Sequence, residues 1–178
     1  VNEQATTIYA ALNSIAHQPH RIVDPSIIPG RILIDLDPTV WAEFDGRDAG
    51  YLMVFAAENE PPQQFRTNLV VVLTRAIVNS GVDLFTTVIG HAFTEARGLP
   101  GWEEERVLTC LPEYRHSGWS IQSGTYRADD LTLYTVTRYA AYERGNIAYL
   151  LQVTGTTADR SRFGSLLDDI VYNTAFED

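Results

Sequence analysis

Three features of the 178-residue sequence predict an α+β fold, a mostly antiparallel sheet of about six or seven strands sandwiched by helices. Hydropathy patterns run in the order α-β-β-β-α-β-β-β-β-α, with strands grouped rather than interleaved with helices. Residues 68–76 carry Leu69-Val-Val-Val-Leu73, a β-branched run suited to a buried strand. Phe163, Leu166, Leu167, Ile170 and Val171 then form an i, i+3, i+4, i+7, i+8 stripe, the mark of a closing amphipathic helix. The length fits a single domain over residues 1–178, and a chain of this size buries roughly 70% of its unfolded surface.

The elements follow in order. Ile8, Leu12 and Ile15 predict a short helix over residues 2–15. Three prolines between residues 17 and 30 predict an extended connector, so that residues 1–30 read as a helix and a linker. Residues 31–36 read as a strand stopped by Asp37-Pro38, with Trp41 and Phe44 anchoring the following loop against the core. The apolar run over residues 50–57 predicts a buried strand, and a polar loop follows it. Leu84, Val88, Ala92 and Phe93 predict a helix over residues 83–97, capped by Asp83 and ended by Gly98-Leu-Pro-Gly101. Four strands are predicted next, over residues 102–111, 116–127, 130–142 and 146–155. The short joints Ala128-Asp129 and Arg144-Gly145 mark hairpins between the last three. The final helix covers residues 158–176.

Composition excludes several chemistries. All 13 basic residues are arginine, so Schiff-base catalysis, a lysine-bearing phosphate loop, a kinase site and a Ser-Lys dyad are absent. A net charge of −10 disfavours nucleic acid and anionic membrane surfaces as partners. The single cysteine, Cys110, forms no intrachain disulfide and sits in an apolar setting that predicts core packing. No run of ~18 apolar residues is present to span a membrane as a helix. The first residues lack the basic and apolar regions of a signal peptide. Two locations follow as expectations: the cell envelope if an export segment precedes this chain, the cytoplasm otherwise.

The stretch Phe65-Arg-Thr-Asn-Leu-Val-Val-Val-Leu-Thr74, the helix after it, the long antiparallel hairpins and the closing helix resemble the actinobacterial LpqN/LpqT family. Thr6-Thr-Ile-Tyr9 adds to the similarity, which extends from about Thr6 to Phe176. The resemblance implies the fold shared by the Mog Ran-binding proteins and PsbP. It implies action through a protein surface, with no catalytic constellation to carry over. Many members of that family carry a lipid on an N-terminal cysteine, a residue this chain lacks there.

Candidate sites read from the residues alone are few. His17, His20 and Asp24 would suit zinc on a helix, but Pro19 opposes one, and surface histidines are the plainer reading. His116, Ser117 and Asp129 or Asp130 could form a nucleophilic triad, although no Gly-x-Ser-x-Gly elbow surrounds any serine. Asp35 and Asp37 would share one strand face, Asp168 and Asp169 diverge on a helix, and Glu103 to Glu105 guard a strand edge. His91 neighbours Thr87 and Glu95 on its helix.

The aromatic content is the richer signal. Tyr126, Tyr134, Tyr139, Tyr142 and Tyr149 fall in the hairpin region, with Trp41, Trp102 and Trp119 also in the chain. Arg66, Arg115, Arg127, Arg138 and Arg144 accompany them. A tyrosine strip on a sheet face suits a binding surface, and cross-strand packing is the competing account. Tyr126, Tyr134, Tyr139, Arg127 and Arg138 are the candidate binding residues.

The function expected is a non-catalytic, cofactor-free and metal-free domain of LpqN/LpqT type that binds a protein or ligand, associated with the actinobacterial cell envelope. Two alternatives accompany it: a cytoplasmic chaperone-like partner of a secreted protein, and a small-ligand carrier with a pocket between sheet and C-terminal helix. A protein partner, no nucleic acid and a monomeric or homodimeric state complete the expectation.

Overall fold

The computed structural model describes residues 6–61, 65–79, 83–110 and 117–177. The first helix, α1 (Ile8–Ile15), starts after Thr7, whose hydroxyl accepts the Ala10 N–H. It leads into β1 (Ala16–Ile22), and β2 (Arg31–Leu33), β3 (Trp41–Phe44), β4 (Met53–Ala57) and β5 (Asn68–Val78) follow. Next come α2 (Leu84–Val88), a 3₁₀ turn (Ile89–His91) and α3 (Thr94–Arg97). The chain closes with β6 (Glu103–Cys110), β7 (Ser117–Ala128), β8 (Leu131–Arg144), β9 (Ile147–Thr157), α4 (Arg160–Asn173) and β10 (Ala175–Glu177).

One antiparallel sheet organises the molecule, in the order β3-β4-β5-β9-β8-β7-β6, with β1 also paired to β5. The long β7-β8-β9 meander is closed by two-residue turns. Asp129 (φ 53°) and Gly145 (φ 63°) supply the positive φ at the first turn position, the conformation that matches strand twist. α4 lies across one face of the sheet. Asp159 caps it by accepting the Arg162 N–H at 3.2 Å, and Phe163, Leu167, Ile170 and Val171 point into the core. Gly155 makes room for this packing: a Cβ there would meet Leu167 Cδ2 at 2.8 Å.

Several expectations need correction. The stretch that reads as a connector contains β1, because the backbone tolerates Pro19 where the pairing to β5 is interrupted between His17 and His20. Residues 31–36 form only three residues of strand, and their partner is β10, the last piece of what the pattern assigns to the final helix. The helix over residues 83–97 is broken at Ile89–His91, with Gly90 inside the break. Trp41 is buried, but it lies in β3 rather than a loop, and Phe44 at the other end of β3 is exposed. Cys110, expected in the core, is exposed at the end of the sheet-edge strand β6.

Candidate functional site

The two faces of the sheet differ in chemistry. On the α4 face, Leu69, Val71 and Leu73 of β5, Val136 of β8, and Leu151 and Val153 of β9 pack against the helix. The space that a carrier pocket beneath the C-terminal helix would need is filled by Phe163, Leu167 and Ile170. On the opposite face, pairing aligns Thr137 of β8 with Thr154 of β9 and Val70 of β5. It aligns Thr135 with Thr156 and Asn68, and Tyr139 with Gln152 and Val72. One half of this face is covered by α1, α2 and the following turn, through Ile8, Leu12, Leu84, Val88 and Ile89 packed on Ala76, Ala141, Ala148 and Leu150. The other half is open.

That open half forms a groove of two adjoining depressions, about 190 Å³ and 340 Å³, which share Glu95, Gln152, Thr154 and Thr156. The floor is a hydroxyl ladder. Thr137 and Thr154 hydroxyls lie 3.1 Å apart, Thr135 and Thr156 3.2 Å, and the Thr135 hydroxyl donates to Gly155 O at 3.0 Å. Gln152 Nε2 donates to the Thr154 hydroxyl at 3.2 Å, and its Oε1 accepts the Tyr9 hydroxyl at 2.7 Å. Tyr126, Tyr139 and Leu99 line one depression, and Tyr9, Tyr51 and Arg21 the other.

The walls are anchored. Tyr139 donates to Glu95 Oε2 at 2.8 Å, which ties α3 to β8. Arg97 donates two hydrogen bonds of 2.9 Å to Glu104, which also accepts Gln122 Nε2 at 2.6 Å, so α3, β6 and β7 meet at one carboxylate. The Arg97 guanidinium is the main reason that Glu104 is held below the usual carboxylate range. Burial pushes Tyr9 up to about 12 and raises Tyr139 as well, Glu95 adding to the second shift. Both phenols are therefore neutral donors at ordinary pH.

The five candidate residues from the sequence do not form one surface. On β8, the positions of Tyr134 and Tyr139 differ by an odd number, so the two face opposite sides of the sheet. Tyr139 and the half-buried Tyr126 belong to the groove. Tyr134 lies on the α4 face and donates to Asp168 at 2.6 Å, beneath the Arg160 guanidinium. Arg138, also on that face, lies over Trp119 at 5.2 Å and donates to the carbonyls of Tyr172 and Thr174 at the end of α4. Arg127 is exposed, and its N–H donates to Pro100 O at 2.8 Å. Tyr142 and Tyr149 pack around Phe176 of β10.

The other candidates are dispersed. Among the described residues, no group of three or more His, Cys, Asp or Glu is placed to hold a metal, and His17 and His20 are exposed on β1. His116 and Arg115 lie outside the described residues, as does the side chain of Ser117. Asp35 and Asp37 fall beyond the end of β2, and Asp37 accepts the Thr39 N–H and hydroxyl. Asp168 pairs with Arg106 at 3.5 Å while Asp169 is exposed. Glu104 and Glu105 pair with Arg97 and Arg160. The groove residues passed over in the sequence, Thr135, Thr137, Thr154, Thr156, Gln122, Gln152 and Arg21, carried one signal: threonines at a spacing of two, Thr135 and Thr137 on one predicted strand, Thr154 and Thr156 at and just past the end of the next.

Comparison with solved structures finds the same architecture in one crystal structure that superposes over nearly the whole chain. A crystal structure of LpqN, involved in cell envelope biogenesis of Mycobacterium tuberculosis, superposes with a TM-score of 0.74 at 14% identity, covering 97% of this chain and 98% of that one. The Saccharomyces cerevisiae Ran-binding protein Mog1p gives a TM-score of 0.45 at 14% identity, with 89% and 95% covered. A Pseudomonas aeruginosa protein of unknown function gives 0.43 at 13% identity, with 70% and 82% covered. No curated protein matches the chain by sequence. The family described as "Probable lipoprotein LpqN" matches residues 9–172, nearly the whole chain, and the chain belongs to that family.

Proposed function

We propose that this chain is a non-catalytic binding domain of the cell envelope, and that it works through the open half of the sheet face opposite α4. One observation carries the reading: that half presents an ordered floor of paired threonine hydroxyls and glutamine amides between tyrosine walls. Such a surface is preorganised for a polar ligand or an extended partner segment, because its hydrogen-bonding groups are already oriented by cross-strand pairing. The envelope placement is supported by family membership and by the role in envelope biogenesis of the M. tuberculosis relative.

The test is site-specific photo-crosslinking in the native host, with the probe at position 126 in the groove or at position 172 on the α4 face. Adducts of defined mass at 126, in the envelope fraction and absent at 172, are expected. Equal adducts at both positions, or none at 126, overturn the reading.

A further inference from the structure

Two charged side chains, Glu95 and Arg21, stand among the described residues lining the groove, and they are of opposite sign. Neither forms an ion pair with the other or with any other described residue. Each is instead held by a tyrosine. Glu95 accepts the buried Tyr139 hydroxyl at 2.8 Å, and the Arg21 guanidinium lies over the Tyr9 ring, 5.7 Å from its centroid. Glu95 borders both depressions, whereas Arg21 borders only the larger one. The floor of the depression that both residues border is neutral and rich in donors and acceptors: Gln152, Thr154 and Thr156.

From this arrangement we propose that the groove binds a zwitterion, a short peptide with free termini, its ammonium at Glu95 and its carboxylate at Arg21. This rests on the groove being the working surface. Opposite charges held apart on aromatic and phenolic supports keep their attraction for a ligand that carries both signs. A ligand of one sign gains from one residue and is repelled by the other. The peptide backbone supplies amide donors and acceptors at roughly 3.5 Å per residue for the threonine and glutamine floor. A carbon chain between the two charges would leave those groups unpaired.

Triglycine is the probe, titrated calorimetrically against the whole chain beside N-acetyl-triglycine, which lacks the ammonium, and triglycine amide, which lacks the carboxylate. Either blocked form is expected to bind about tenfold more weakly, the loss of one hydrogen bond to a charged group. Glu95→Gln, which keeps an oxygen for Tyr139, should bind triglycine and its acetylated form alike. Arg21→Gln should bind triglycine and its amide alike. Undetectable triglycine binding, equal binding of all three probes, or tighter binding of phosphoethanolamine overturns the proposal. If that happens while crosslinking at position 126 persists, only the zwitterion is wrong. If the crosslinks vanish as well, the groove itself is.

Discussion

Arg138 reaches from the middle of β8 to the end of α4, where one of its terminal nitrogens donates to the carbonyls of both Tyr172 and Thr174. The sheet thus caps the helix that covers it. The cation also complements the negative end of the helix dipole, and Trp119 supports it from below. Burial lowers the Arg138 pKa from its ordinary value, and the guanidinium stays charged regardless. Arg138→Met should cost roughly 2 kcal/mol, since it strips two acceptors of a charged donor. A lower urea midpoint, with hydrogen-exchange protection lost first at Asn173 and Thr174, is the expected signature.

Gly124 of β7 faces the groove side where β6 crosses, directly beneath Trp102 and the Glu103 carbonyl. A methyl group there has backbone on one side and an indole ring on the other, and neither can rotate away. Gly124→Ala should therefore displace β6 at a cost of about 1–3 kcal/mol. The displacement would also part Glu104 from Gln122 and Arg97. Amide shifts of residues 103–106 and a lowered melting temperature would register it, and an unchanged melting temperature would contradict the packing.

Alkaline titration tests the buried phenols. Tyr9 and Tyr134 are each pushed from 10.0 to about 12, in both cases mainly by burial. In the unfolded chain these phenols lose their protons near pH 10 while the folded chain retains them. The unfolded state therefore binds fewer protons between those values, and stability falls as pH rises through that window. Below about pH 10 the contribution is fully present. Denaturant midpoints measured from about pH 9 to 12 should decline in the wild type, and the decline should be shallower in Tyr9→Phe.

The strands were legible because their signals are local: a β-branched run in β5, polar two-residue joints in the β7-β8-β9 meander, and alternation along β8. What was missed depended on pairing between distant segments. β1 is held by β5 across a proline-bearing bulge, and β10 by β2 from the other end of the chain. Neither partner can be read from periodicity in so short a piece. The tyrosine candidates failed to converge for a reason already present in the sequence. Positions 134 and 139 differ by an odd number, and a strand sends such residues to opposite faces. The groove was the harder object, because a threonine ladder looks like ordinary sheet polarity until α1 and α3 are seen to leave it uncovered.

The ladder also offers a way to separate binding from folding. Thr137 and Thr154 hydroxyls bond to each other, and the Thr154 hydroxyl additionally accepts from Gln152. Replacing both by valine keeps the shape, preserves the β-branched preference for strand and removes donor and acceptor together. Stability should fall by no more than about 1 kcal/mol, because the hydroxyl pair exchanged for an apolar pair of equal shape is nearly neutral and the Gln152 amide, which loses the Thr154 oxygen, borders the open groove and turns to water. Ligand groups that hydrogen-bond to the floor would lose their partners, so crosslinking from position 126 should fall about tenfold or more. Thr154→Val alone strands both the Thr137 hydroxyl and the Gln152 amide and should be the less stable protein. If the double variant unfolds at the wild-type denaturant midpoint yet crosslinks at the wild-type level, the ladder is only structural and the working surface lies elsewhere.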